Sequence, residues 1–317
     1  MTQELKRELT MIERKAFFAG HWYSYNKDDL IRELESHFDN ETFGPGELPQ
    51  SQNKDSRTII GGVSPHAGYA YSGPCAAHTY LNLFKERIPD TIVILGTHHH
   101  YYAKVGLMEK GEWKTPLGNL KIDEELASLI LENAKLITED TSGFINYQEH
   151  NIEIQLPFIK YCAGNKDVKI LPIKVTNQIN QKEMDRISNE IVSGIDKSNK
   201  DIVLVASSDM SHYDVSNQEQ MKTLKKIDHT VIDQFLNFKP ENILYPEKVI
   251  SQEDYAQFRA DQRGPSICGR QTIATLVSIG KKMKTSQSKL LKYYTSKDIS
   301  TGGGTWTVGY FSGVISK

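Results

Sequence analysis

The chain has 317 residues, 38% of them apolar, which sets disorder aside and is enough to bury a sizeable core. Its 38 Lys and Arg against 40 Asp and Glu leave a formal charge of -2, so phosphate neutralisation on nucleic acid or on anionic lipid is not its main business. Three cysteines, Cys75, Cys162 and Cys268, are too few and too scattered for a disulfide framework or a zinc knuckle, and a reducing, cytoplasmic setting suits them.

Met1 to Phe18 is broken by seven charged side chains and has no apolar core of signal-peptide length; with residues up to 57 it reads as a helical region and a polar loop, Asn40–Arg57. Thr58–Phe84 carries no Asp, Glu, Lys or Arg, but its prolines, glycines and histidines make it too polar and broken for a membrane helix. Apolar, β-branched runs at Thr58–Val63, Thr91–Leu95, Val168–Ile173 and Ile202–Ala206 predict central parallel strands covered on both faces. Between and after them, helical spacing covers Gly73–Arg87, Asp123–Asn133, Glu149–Cys162, Gln181–Lys197, Glu219–Phe238 and Pro265–Lys282. Thr305–Ile315 alternates loosely and predicts an edge or antiparallel strand, while Gly302-Gly303-Gly304 lacks the context of a phosphate loop and reads as a turn. The whole is an α/β fold with a mostly parallel central sheet flanked by helices, and no linker divides residues 1–317 into two domains.

Ligands of open α/β sheets gather beyond the carboxyl ends of the strands, and here three strands run into histidine. Pro65-His66 follows the first, Gly96-Thr97-His98-His99-His100 the second, and Ser207-Ser208-Asp209-Met210-Ser211-His212 the fourth. One such histidine is ordinarily a hydrogen-bonded loop residue; three at equivalent positions point to a metal or catalytic pair of His66 with His99. Glu149-His150-Asn151-Ile152-Glu153 opens a helix and offers His150 as an acid/base group, although acidic side chains there also suit a solvated first turn. Asp209 and His212 form a D-x-x-H turn in which the carboxylate can orient the imidazole as a general base. Cys268, in Gly264-Pro265-Ser266-Ile267-Cys268-Gly269-Arg270 at the start of a helical pattern, is a candidate nucleophile or metal ligand, whereas Cys75 and Cys162 sit inside helical patterns as core residues.

Five motifs, in order, resemble the Memo family: PHAGY at Pro65–Tyr69, ILGTHHH at Ile94–His100, EHNIEIQLP at Glu149–Pro157, SSDMSH at Ser207–His212 and ICGR at Ile267–Arg270. Bacterial and archaeal members are often called the B component of the AmmeMemoRadiSam system, and eukaryotic members are associated with cell motility signalling. The resemblance implies a fold like that of the class III extradiol dioxygenases, and a mononuclear iron or copper site made by His66, His99 and Cys268. Aligning Gly96 selects His99 from its run of three, with His100 supporting it. The chain has Gln155 and Gln271 where many relatives carry histidine, which weakens any role resting on those positions.

Three functions follow as expectations. The first is a metal-dependent redox enzyme using ferrous iron, or else copper, in which His150, His212 and His100 move protons and Asp209 orients. The second is a non-catalytic scaffold with an enzyme-like pocket that binds a peptide or a partner of a radical-SAM pathway. The third is metal-assisted hydrolysis, which zinc occupancy would favour. The aromatic residues near the motifs leave the substrate, a small molecule or a peptide, undefined.

Overall fold

The four apolar runs fold as adjacent parallel strands. The structure, a computed structural model, describes residues 12–99, 105–258, 266–300, 302 and 304–317. In chain order its strands are β1 (Glu13–Arg14), β2 (Ile59–Ser64), β3 (Thr91–Thr97), β4 (Val105–Leu107), β5 (Glu112–Trp113), β6 (Leu120–Lys121), β7 (Ile137–Glu139), β8 (Lys169–Val175), β9 (Ile202–Ser207), β10 (His212–Asp214), β11 (Gln287–Thr295) and β12 (Trp306–Ser316). The main sheet runs β10-β12-β2-β9-β3-β8-β4-β7, with β11 also paired to β12. Its middle, β2-β9-β3-β8, is parallel throughout, and antiparallel pairs begin where β12 meets β2 and where β4 meets β8.

Two adjacent glycines show how the layers close. A Cβ on Gly61 would lie 3.0 Å from Leu276 of the Arg270–Lys282 helix, and one on Gly62 would lie 3.0 Å from Thr79 of the Tyr69–Lys85 helix. Successive strand residues face opposite sides, so these two helices cover the two faces of β2 and approach it closely because it has no side chains there. The Gln181–Lys197 helix packs beside the Arg270–Lys282 helix. It begins with a capping box between Asn180 and Glu183 and buries Met184, Ile187, Ile191 and Ile195 on one stripe. Burial of all seven residues of β3 accounts for the unbroken apolar run seen in sequence.

Several elements differ from the sequence reading. The Tyr69–Lys85 helix starts four residues before Gly73 and contains Pro74. The expected Glu149–Cys162 helix is two helices, His150–Glu153 and Leu156–Ala163, the second starting with Pro157 in its first turn, where a missing N–H costs nothing. The helix expected over Pro265–Lys282 begins at Arg270, which leaves Cys268 just ahead of it; Pro265 lies outside the described residues. The carboxyl-terminal strand β12 is antiparallel as expected, but it is no free edge, since it pairs with β2, β10 and β11. A small separate sheet, β1-β5-β6, ties the amino-terminal segment to the rest through β1. Among the described residues no helix is long and apolar enough to cross a membrane.

Candidate metal centre

Register brings the motifs together. In the parallel ladders Ser64 of β2 stands opposite Ser207 of β9, and Leu95 of β3 opposite Ala206, so the three strands end at one level. Each chain then turns outward with its polar residue: His66 after β2, His99 after β3, Asp209 after β9. The ligand atoms of His66, His99 and His150 lie within 4.8 Å of one another, a group that could hold a metal ion. Imidazole nitrogens are suitable donors for iron, copper or zinc.

Hydrogen counting fixes the tautomer of His66. Its Nδ1 lies 2.9 Å from Ser207 Oγ, whose single proton goes to the Asn151 carbonyl at 2.7 Å. The Nδ1 atom must therefore be the donor, and Nε2 keeps its lone pair. Gln155 shares the arrangement: its Nε2 donates to Ser207 Oγ and to the Pro65 carbonyl, both at 3.0 Å, while its Oε1 accepts from Tyr80 Oη at 2.8 Å. His66 is buried, and burial first, then the neighbouring His150, His99 and His212, holds its pKa well below the ordinary value. A neutral imidazole with an unprotonated Nε2 is the form a metal takes.

Glu149 performs the same service for His99. Its Oε1 lies 2.9 Å from His99 Nδ1, and its Oε2 accepts the His99 backbone N–H at 3.0 Å. Burial pulls the His99 pKa down, but the hydrogen bond and charge of Glu149 outweigh it and leave the value raised. Burial likewise opposes ionisation of Glu149, yet His99 and then His150 bring its pKa down to about 2. Glu149 also caps the short helix by accepting the His150 N–H. His150 stacks on His99 with ring centroids 4.5 Å apart and leans on Trp22 at 4.4 Å. Burial lowers the His150 pKa to about 4, so the ring is neutral at pH 7.

Cys268 reaches the group at His66. Its Sγ is 3.0 Å from His66 Nε2, and burial first, then the charge of Asp209, pushes its thiol pKa up. A bound cation reverses that balance by replacing the proton. Asp209 Oδ1 accepts the His66 backbone N–H at 2.8 Å, and burial raises the carboxyl pKa to about 7. The expected orienting bond from Asp209 to His212 is not made: Oδ2 is 3.8 Å from His212 Nε2, whereas His212 Nδ1 faces the Met210 carbonyl at 2.9 Å. His212 starts β10 instead of sitting in an open turn, and burial lowers its pKa to about 4.

Of the residues singled out in sequence, His66, His99, His150, Asp209, His212 and Cys268 gather at this strand-end site. His100 lies outside the described residues. Cys75 is fully buried and Cys162 partly so. Gln271 is buried but donates to the Asn177 carbonyl at 2.9 Å. Sequence reasoning missed Ser207 and Gln155 as the pair that sets the His66 proton, and Glu149 as the group that sets that of His99. The available signal for Ser207 and Glu149 was their position, one residue after the Ile202–Ala206 run and one residue before His150.

Comparison with known proteins agrees in extent and in kind. A family model described as "Memo-like protein" matches residues 14–314. A "MEMO1 family protein" of Desulfurococcus amylolyticus is 36% identical over 302 residues, covering 95% of this chain and 98% of that protein. Another from Thermotoga neapolitana is 34% identical over 304 residues, with 96% and 99% covered, and one from Methanopyrus kandleri is 34% identical over 309 residues, with 96% and 100% covered.

Proposed function

The chain belongs to the Memo-like family, and on that premise we propose that it is a metal-dependent redox protein whose single ion is held by His66, His99 and Cys268. The observations behind the reading are the approach of Cys268 Sγ to His66 Nε2 at 3.0 Å and the edge-to-face packing of the His66 and His99 rings, with centroids 5.3 Å apart. Two imidazoles whose other nitrogens are already committed, beside one thiol, suit iron, copper or zinc by donor type, and the choice of iron, with copper second, follows the family resemblance. When bound, such an ion supplies a redox-active Lewis acid with open positions for a small molecule or a peptide group.

The surrounding residues have separable tasks. Ser207 with Gln155, and Glu149, hold the two imidazoles in their metal-binding tautomers. His150 and His212, neutral at pH 7 because burial lowers each to about 4, accept a proton only when one is delivered by stronger chemistry. Asp209, with a carboxyl poised at about 7, gives or takes a proton near neutrality. Trp22 and Phe18 pack against the His150 ring, whose side chain keeps 18% of its exposure. Pathway partners of a radical-SAM system and a cytoplasmic setting belong to the same reading.

The three-histidine grouping favours a second reading, in which His150 replaces Cys268 as ligand, zinc is the ion and the chemistry is hydrolytic. Purification without oxygen, metal analysis and an oxygen-uptake assay separate the two. About one equivalent of iron or copper with uptake supports the redox reading, and zinc without uptake supports hydrolysis. No stoichiometric metal contradicts both and leaves a binding scaffold.

A further inference from the structure

Outside the cluster, the most heavily committed buried ion pair is that of Arg14 on β1 with Glu153 at the end of the short helix that carries His150. Arg14 Nη1 lies 2.5 Å from Glu153 Oε2, and both side chains are almost fully buried. The same guanidinium donates from Nε to the Phe144 carbonyl at 3.1 Å, from Nη1 to the Lys15 carbonyl at 3.0 Å and from Nη2 to the Glu149 carbonyl at 2.8 Å. Its plane lies over the Trp113 ring at 4.1 Å. The other oxygen of Glu153 accepts the Phe18 backbone N–H at 2.8 Å and Tyr23 Oη at 3.0 Å.

This pair therefore grips both ends of the Glu149–Glu153 segment: the Glu149 carbonyl at its start and the Glu153 carboxylate at its end. Between them sit His150 and, through its side chain, the Glu149 carboxylate that holds His99. The amino-terminal segment is drawn in by the same bonds, which places Phe18 and Trp22 against the His150 ring. Stability alone does not account for such a device, because a buried ion pair often does no better than apolar residues of the same volume. A planar fork of five donors does what neither those residues nor a lysine can: it fixes three carbonyls and a carboxylate in one geometry.

We propose that Arg14 is a positioning residue of the metal centre, acting through Glu153 and the Glu149 carbonyl to aim Glu149 and His150 at His99. The proposal rests on the reading of this cluster as a metal site. Its reach is a coupling in both directions: the fork tightens the centre, and an ion in the centre tightens the fork.

The test uses cobalt(II) added to the metal-free 317-residue chain, followed by its visible d–d absorption. Two variants are compared with the wild type: Arg14→Lys, which keeps the charge, and Arg14→Met with Glu153→Met, which leaves no unpaired buried charge. Cobalt affinity is expected to fall about ten- to a hundredfold in both variants, the usual range for lost outer partners of metal ligands, with an altered band shape. In the unaltered protein, cobalt is expected to slow hydrogen exchange of the Phe18 amide, a readout that needs no variant to fold and that a merely structural role would not move. Failure of the wild type to bind cobalt would sink the metal reading and this inference with it. Wild-type binding with unchanged Phe18 exchange, or a folded double variant with wild-type affinity and spectrum, would overturn the inference alone.

Discussion

Ser207 Oγ lies 2.9 Å from His66 Nδ1 and hands its own proton to the Asn151 carbonyl, so a serine hydroxyl decides which nitrogen of the histidine faces the cluster. The same hydroxyl accepts from Gln155 Nε2 at 3.0 Å.

Replacing Gln155 by Leu removes the donor to Ser207 and Pro65 and the acceptor for Tyr80. Leaving these buried groups unpaired is expected to cost about 2 to 4 kcal/mol of stability. Metal affinity should also fall by about tenfold as the Ser207 hydroxyl that faces His66 Nδ1 loses one of the donors holding it in place. Urea unfolding and cobalt titration check the two effects; an unchanged affinity in a folded variant would remove Gln155 from the site.

Gly96 in β3 lies beneath the short helix. A Cβ there would sit 2.3 Å from Asn151 Oδ1 and 2.5 Å from Ile152 Cγ1, within a fully buried stretch. Gly96→Ala must push the His150–Glu153 helix outward, which is expected to cost about 1 to 3 kcal/mol and to weaken metal binding. A variant with wild-type unfolding free energy and affinity would show that the helix yields without consequence.

Acid lability follows from the buried histidines. Burial takes His37 from 6.5 down to about 4, and Nε2 of its ring has no hydrogen-bond partner among the described residues. The folded value is below the unfolded one, so its contribution is complete above pH 6.5 and drains away as the pH falls towards 4. For His37 alone the loss is about 3 kcal/mol. His78, lowered to about 4 chiefly by burial, acts in the same direction. Unfolding free energies measured by urea between pH 4 and pH 7 should rise steeply with pH, and His37→Gln should lower that slope by up to about 1.4 kcal/mol per pH unit. An unaltered slope would show that folding does not lower the His37 pKa.

The parts of the molecule legible in sequence are those whose signal is local. β2, β3, β8 and β9 are buried on both faces, and a run such as Thr91-Ile92-Val93-Ile94-Leu95 announces that condition without its neighbours. His66, His99 and Asp209 could be placed together because parallel strands end at a common edge. β11 escaped notice because Gln287–Thr295 mixes lysines with partly buried leucine and tyrosine and has no clean period. The fork of Arg14 on Glu153 joins residues 139 positions apart, and nothing in the spacing of either announces the other. The break at Gln155, read as helix interior, is decided by the tertiary contacts of its side chain with Pro65, Tyr80 and Ser207.

The central claim is that Cys268 and the two imidazoles of His66 and His99 hold one metal ion. Cobalt(II) titration of the metal-free protein under anaerobic conditions tests it most directly, because a thiolate bound to cobalt gives an intense near-ultraviolet charge-transfer band that histidine ligands do not. The account predicts saturation at about one equivalent with that band present in the wild type and lost in Cys268→Ser, and binding abolished in His66→Ala. Saturation without the band, or a band that survives in Cys268→Ser, would contradict it.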